Sequence, residues 1–237
     1  MRVEKEEGVV LSAVKYGESG IVVNVLTRSE GRRGFMASAG RGRGRTSSML
    51  LPLSVIEFVA AGRKPSQMRR MSDVHLGHPF KSIPFSPLRR AEAFFIAELL
   101  CHAVPDDVPD PDLFDFVSGA VAALDDGVEG DYNFHLFFMM RLADYLGFGP
   151  DINREGMPIF DMAAGTWVAT YPPHPDIVTG RMADLWHWTS AVETGDLAGM
   201  PMSRIERQEL IALMTKYYRL HQPGFRDLSS QQILAQL

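Results

Sequence analysis

A change of hydrophobic period near Pro87 constrains this chain more than any other feature. Before it, apolar and β-branched residues come in short runs broken by turn signals. Runs over 9–16, 21–27 and 34–38 are separated by a Gly/Ser turn and a Glu-Gly turn. Two more runs, in "LPLSVIEFVAAG" and "MRRMSDVHL", flank "RKPSQ". Such spacing predicts a meander and then two further strands, five in all, which is the makeup of a small β-barrel. After Pro87, "SPLRRAEAFFIAELLCHA", "PDLFDFVSGAVAALDD", "YNFHLFFMMRLADYLGF" and "SRIERQELIALMTKYYRLHQPG" place apolar residues at helical spacing. The last opens on Ser203 with Glu206 three residues on, a capping box, and stops at Pro223-Gly224. Between the third and fourth helices, residues 157–171 alternate around Ala164-Gly165 and predict a short β-hairpin. The expected organisation is α+β: a barrel domain over 1–80, then a mainly helical domain over 81–237.

Charge divides the chain at the same place. The net charge of -5 combines 13 Lys and Arg against 7 Asp and Glu in residues 1–80, a net +6, with 11 against 22 in residues 81–237, a net -11. Opposite signs in the two halves suggest different partners, the first half being drawn to a polyanion. The excess centres on "AGRGRGRT". Glycines let such a loop follow a phosphate backbone, and Arg41, Arg43 and Arg45 supply forked donors that match phosphate oxygens. Arg32, Arg33, Arg63, Lys64, Arg69 and Arg70 would extend the stripe. A nucleotide-binding P-loop fits poorly, because Ala39 replaces its first glycine, Arg45 stands in the lysine slot and Pro52 disfavours the helix that must follow. The other reading of the loop is a solvated charged segment that serves solubility alone. Aromatic residues in the first 80 positions are only Tyr16, Phe35, Phe58 and Phe80, and some must be core. Binding would therefore be dominated by phosphates, sensitive to salt and blind to sequence.

Catalytic and metal signals are absent or weak. His75 and His78 share a three-residue spacing that does not bring them to one face of a strand. "DDVPDPDLFD" lacks the glycine and terminal glutamate of a calcium loop and reads as helix-start acids. No nucleophile motif stands out, so neither an enzyme, a cofactor nor a metal is expected. The lone Cys101 can form no intramolecular disulfide, the N-terminus "MRVEKEEGVV" is unlike a signal peptide, and no run reaches the roughly 20 apolar residues of a membrane span. A cytoplasmic protein is expected. The very apolar "FHLFFMMRLADYLGFG" reads as the central core helix of the second domain, or, in part and with Arg141, as the lining of a groove for an apolar, acidic peptide.

Taken in order, "GVVLSAVKYGESGIVVNVLTRSEGRRGFMASAGRGR", the basic loop followed by "LLPLSVIEF", and "RLADYLGFGPDI" resemble the bacterial RecO recombination mediators over nearly the whole chain. "FDMAAGTWVAT" and "HPDI" look like the branch found in Bacteroidetes-like bacteria. The resemblance implies an OB-fold-like barrel followed by a helical domain, and a non-enzymatic protein of the bacterial nucleoid. Such a protein would bind ssDNA and dsDNA, anneal complementary strands, and work with RecR and the single-strand binding protein SSB to load RecA at gaps. It carries the DNA surface to Arg32, Arg33, Arg41, Arg43 and Arg45, and the docking of the SSB tail to the helical domain, with Arg141 as a candidate. Many family members hold zinc through four cysteines after "LGF"; here the segment reads "NREGMPIFDM", so packing around Phe160 and Trp167 must hold the hairpin. An RNA-binding barrel module and a protein adaptor without nucleic-acid affinity are the alternatives from other classes.

Overall fold

The computed structural model describes residues 2–38, 48–62, 68–199 and 202–234. The chain divides into two compact units, 1–126 and 127–237.

Five strands form the first unit's barrel: β1 (Arg2–Tyr16), β2 (Gly20–Thr27), β3 (Gly31–Ser38), β4 (Val55–Gly62) and β5 (Arg69–His78). They close in the order β1-β2-β3-β5-β4, antiparallel except for β3 and β5, which run parallel. This is the OB-fold-like arrangement expected from the sequence. Period 2 selects the inner face. Val23, Val25, Phe35, Ile56, Phe58 and Ala60 are almost wholly buried, and the Phe35 and Phe58 rings meet edge to face at 4.9 Å. Burying each large apolar side chain contributes about 1.5–3 kcal/mol, which makes this core the barrel's main support.

Strand β1 begins seven residues before the apolar run that predicts it. Residues 2–8, "RVEKEEG", pair in register with β4 from Arg2 opposite Gly62 to Val9 opposite Val55. Their inward positions are filled by Glu4 and Glu6, which face a buried arginine, Arg69, where apolar side chains would be expected. A hydrophobicity pattern cannot see a strand whose inward residues are carboxylates.

Two helices complete the unit, α1 (Pro87–Ala103) and α2 (Pro111–Asp126). Ser86 caps α1 by accepting from the Arg89 amide, with Pro87 in the first turn where its missing N–H costs nothing. Asp110 caps α2 by accepting from the Leu113 amide at 2.9 Å, as the helix-start reading of this acidic stretch expects. Asp125, at the end of α2, is buried and accepts from the amides of Lys81, Ser82 and Ile83, pinning the segment that leads from the barrel to α1. The loop between the helices lies against the β2–β3 turn. There Gly31 has φ +72°, and an added Cβ would fall 2.1 Å from the Val108 carbonyl oxygen. Only glycine fits this close approach.

The second unit is built on α3 (Phe134–Tyr145), whose residues 134–140 are all buried, as a central core helix requires. Around it lie a three-stranded sheet of β6 (Ile159–Asp161), β7 (Thr166–Val168) and β8 (Ile177–Val178), and helices α4 (Gly180–Ala191), α5 (Arg204–His221) and α6 (Gln231–Leu234). The expected hairpin is β6–β7, turned by Asp161, whose carboxylate accepts from the amides of Ala163 and Ala164. Strand β8 adds to its free edge. Phe160 packs on Trp167 at 5.2 Å and on Trp186 at 4.9 Å, so aromatic contacts hold the sheet. The capping box is formed: Ser203 Oγ accepts from the Glu206 amide, and the Glu206 carboxylate accepts from the Ser203 amide at 2.7 Å. That backbone bond, with the Ser203 hydroxyl and Arg181, lowers the Glu206 carboxyl to about 2.

Helix α4 has no counterpart in the sequence reading. Its buried stripe, Ala183, Trp186 and Ser190, keeps helical spacing, but Thr189 and Ser190 look polar in sequence. Inside the protein their hydroxyls donate to the carbonyls of Leu185 and His187.

Candidate nucleic-acid interface

The described arginines of the barrel fall into two groups. Arg69 lies on the inner face of β5, 3% exposed. Its guanidinium donates to Glu30 and Glu4, each at 2.9 Å, and to the Ala60 carbonyl, and stands 3.8 Å from Glu6. The three carboxylates lie close enough together to suggest a cation site, and Arg69 supplies that cation. Arg33 donates to Glu30 at 2.9 Å and pairs with Asp107 at 2.7 Å. Arg32 donates to the Val104 carbonyl at 2.8 Å and pairs with Asp106 at 3.0 Å, where the two segments also form a β-bridge. Arg28 meets Asp115 through both guanidinium nitrogens. The acids of residues 106–115 thus fold back onto the barrel and neutralise one end of it. Arg32, Arg33 and Arg69 of the expected stripe thus each pair with carboxylates of the protein itself.

Arg70, one residue on, points the other way and is exposed. Across the outer wall of the barrel the register lines up Val14, Val22, Met36 and Arg70, one from each of β1, β2, β3 and β5. The adjacent row is Tyr16, Gly20 and Ser38. Val14 is 61% exposed and Tyr16 66%, and Met68, just before β5, is also exposed. Helix α1 meets the neighbouring rows of β2 and β3, where Asn24 donates to Cys101 Sγ and Arg32 to the Val104 carbonyl at the helix end.

The ends of the strands place the rest of the basic sequence. Strand β3 leaves the patch at Ser38, and β5, being parallel to it, enters from the opposite end at Arg69. Arg41, Arg43 and Arg45 follow Ser38, and Arg63 and Lys64 precede β5; all five lie outside the described residues. The two basic segments therefore join the sheet at opposite ends of one outer patch. Nothing in a one-dimensional charge count reveals this, because it depends on the parallel pairing of β3 with β5.

His75 is exposed, whereas His78 Nε2 faces Asp125 at 3.6 Å, so the pair does not converge. In the second unit, Arg141 donates to the carbonyls of Ser190 and Val192 at the end of α4 and pairs with Asp144 at 3.2 Å. Its charge lies over the last carbonyls of that helix. No helix among the described residues is long and apolar enough to cross a membrane.

Comparison with known proteins agrees with this architecture. The family described as "Recombination protein O N terminal" matches residues 1–80, and "Recombination protein O C terminal" matches residues 85–230. The DNA repair protein RecO of Phocaeicola vulgatus is 32% identical over 99% of this chain and 98% of its own length. The DNA repair protein RecO of Bacteroides fragilis is 33% identical over 99% and 98%. That of Flavobacterium psychrophilum is 26% identical over 98% of each chain. With a matching barrel, a matching helical region and relatives aligned end to end, this chain belongs to the RecO family of DNA repair proteins.

Proposed function

We propose that the protein binds single- and double-stranded DNA without sequence specificity, anneals complementary strands, and acts with RecR to load RecA onto SSB-coated DNA. The observation that carries this reading is the outer patch of the barrel, exposed, with Arg70 on it and the two basic segments joining at its ends. The phosphate contacts are assigned to Arg41, Arg43, Arg45, Arg63, Lys64 and Arg70. Neutralising phosphates on two strands lowers their mutual repulsion, which favours annealing while the base edges stay open to pair. The protein works by binding and not by catalysis, on the nucleoid in the cytoplasm. The SSB tail, being acidic and apolar, docks on the second unit.

Fluorescence anisotropy with labelled single strands, duplex and RNA, at several salt concentrations, tests the reading. The expected result is sequence-independent DNA binding that weakens steeply with salt. Its log-log slope shrinks by roughly 2–3 in the Arg41/Arg43/Arg45→Ala variant. An unchanged slope in that variant removes the loop from the DNA path, and tighter binding to RNA than to DNA moves the function to RNA.

A further inference from the structure

Phosphate contacts alone do not distinguish a single strand from a duplex. The barrel carries one feature that does. Of the four aromatic residues in the first 80 positions, Phe35 and Phe58 are core and Phe80, beyond the end of β5, is half-buried. Tyr16 is the exception, 66% exposed at the tip of the β1–β2 hairpin.

Its surroundings keep the ring uncovered. The residue opposite Tyr16 on β2 is Gly20, which has no side chain to lie across the ring. A larger residue is excluded there, since an added Cβ would sit 2.6 Å from the Tyr16 carbonyl oxygen and 3.2 Å from Met36 Sδ. Beside Tyr16 on the same outer face is Val14, and beyond it Val22, Met36 and Arg70 complete the row. The result is an aromatic ring at one end of an apolar row that curves around the barrel wall through β1, β2 and β3 to a cation on β5. Strands are about 4.8 Å apart, so the row from β1 to β5 follows roughly 14 Å of the curved wall. A base needs an apolar or aromatic face, and its phosphate needs a cation at one side. The row offers both.

We infer that Tyr16, backed by Val14 and Met36, is a stacking platform for an unpaired base, with Arg70 holding a phosphate of the same strand. The proposal rests on the DNA-binding reading and adds its strand preference. Bases in a duplex are already stacked on each other and present no face to Tyr16, so the platform favours single strands. It also leaves the Watson–Crick edge of the stacked base open, which suits a protein that brings complementary strands together.

The test compares wild type, Tyr16→Ala and Tyr16→Phe in equilibrium binding to an oligothymidine and to a duplex of equal length. An oligonucleotide carrying 2-aminopurine reports stacking directly. Tyr16 is exposed, so neither variant disturbs the core, and circular dichroism checks that both fold. The expected result is a roughly 5- to 100-fold loss of single-strand affinity in Tyr16→Ala, little change on duplex, and near-complete retention in Tyr16→Phe. The 2-aminopurine quenching seen with wild type and Tyr16→Phe disappears in Tyr16→Ala. A loss below twofold on single strands, or an equal loss on duplex, overturns the platform while DNA binding by the protein stands. If the wild type binds neither oligonucleotide, the DNA reading itself falls, and the platform with it.

Discussion

Arg69 and Arg70 are neighbours on one strand with opposite fates. Arg69 points into the barrel and is held by Glu4, Glu6 and Glu30; Arg70 points out and meets solvent. Alternation along a strand makes one of any adjacent pair inward, so half of a basic run on a β-strand cannot face a ligand. The inner arginine is placed to act on stability, and the outer one is the residue proposed for binding.

The largest expected effect breaks the inner half of this comparison. Replacing Arg69 by methionine keeps bulk and removes the charge, leaving the buried Glu6 with the Ser29 hydroxyl and Glu30 with Arg33 alone as cation. Urea unfolding is expected to show a loss of about 3–5 kcal/mol, the usual consequence of orphaning a buried charge. Adding Glu6→Gln and Glu30→Gln to Arg69→Met should recover most of it, since the cost lies in unpaired carboxylates and not in lost volume. A single variant as stable as wild type would mean that water already reaches this cluster.

Asp125 sharpens the contrast, being a buried charge stabilised mostly by neutral donors. Burial alone would raise its carboxyl, but the amides of Ile83, Lys81 and Ser82, with the Ser82 hydroxyl, outweigh this and lower it. A lowered folded-state value means that Asp125 contributes stability above the carboxyl's unfolded value and loses it as pH falls through the folded one. His78 faces it at 3.6 Å. Thermal midpoints taken from about pH 6 down to 3 should therefore fall less steeply in Asp125→Asn than in wild type. Parallel curves would assign the acid sensitivity to other carboxylates.

These particular residues show what was legible in the sequence. The five strands, the α+β order, the capping box at Ser203 and the core helix at Phe134–Tyr145 follow from local periodicity and cap chemistry, and the structure shows each. Extension of β1 back to Arg2 and the existence of α4 were hidden, because several of their inward residues, Glu4, Glu6, Thr189 and Ser190, are polar and are satisfied by distant partners such as Arg69 or by their own backbone. The charge contrast depends on where the chain is divided. Residues 1–80 carry +6, but the first compact unit runs to Asp126 and contains 16 Lys and Arg against 16 Asp and Glu, a net of zero. Nine acids against three bases in residues 81–126 close the difference, and three of those acids, Asp106, Asp107 and Asp115, fold onto Arg32, Arg33 and Arg28. Linear counting registers a charge but not its pairing.

The smallest expected effect lies on the outer half of the comparison. Arg70→Ala removes an exposed side chain from a strand that Arg69 and Met71 anchor from the inner face, so the urea midpoint should not move measurably. Its effect belongs to binding. Each arginine that neutralises one phosphate contributes about one counterion to the salt dependence, and Arg70→Ala should reduce the log-log slope by roughly 1 for single strands. Arg69→Met offers the matching control: at a denaturant-free concentration where it is still folded, its slope should equal that of wild type, because its guanidinium never reaches a phosphate. If Arg70→Ala leaves the slope unchanged and Arg69→Met lowers it, the assignment of inner and outer roles is reversed and the DNA path must enter the barrel's interior. A strand's alternation makes that reversal impossible without a change of register in β5, so one pair of titrations tests the pairing of β3 with β5 as well as the binding surface built on it.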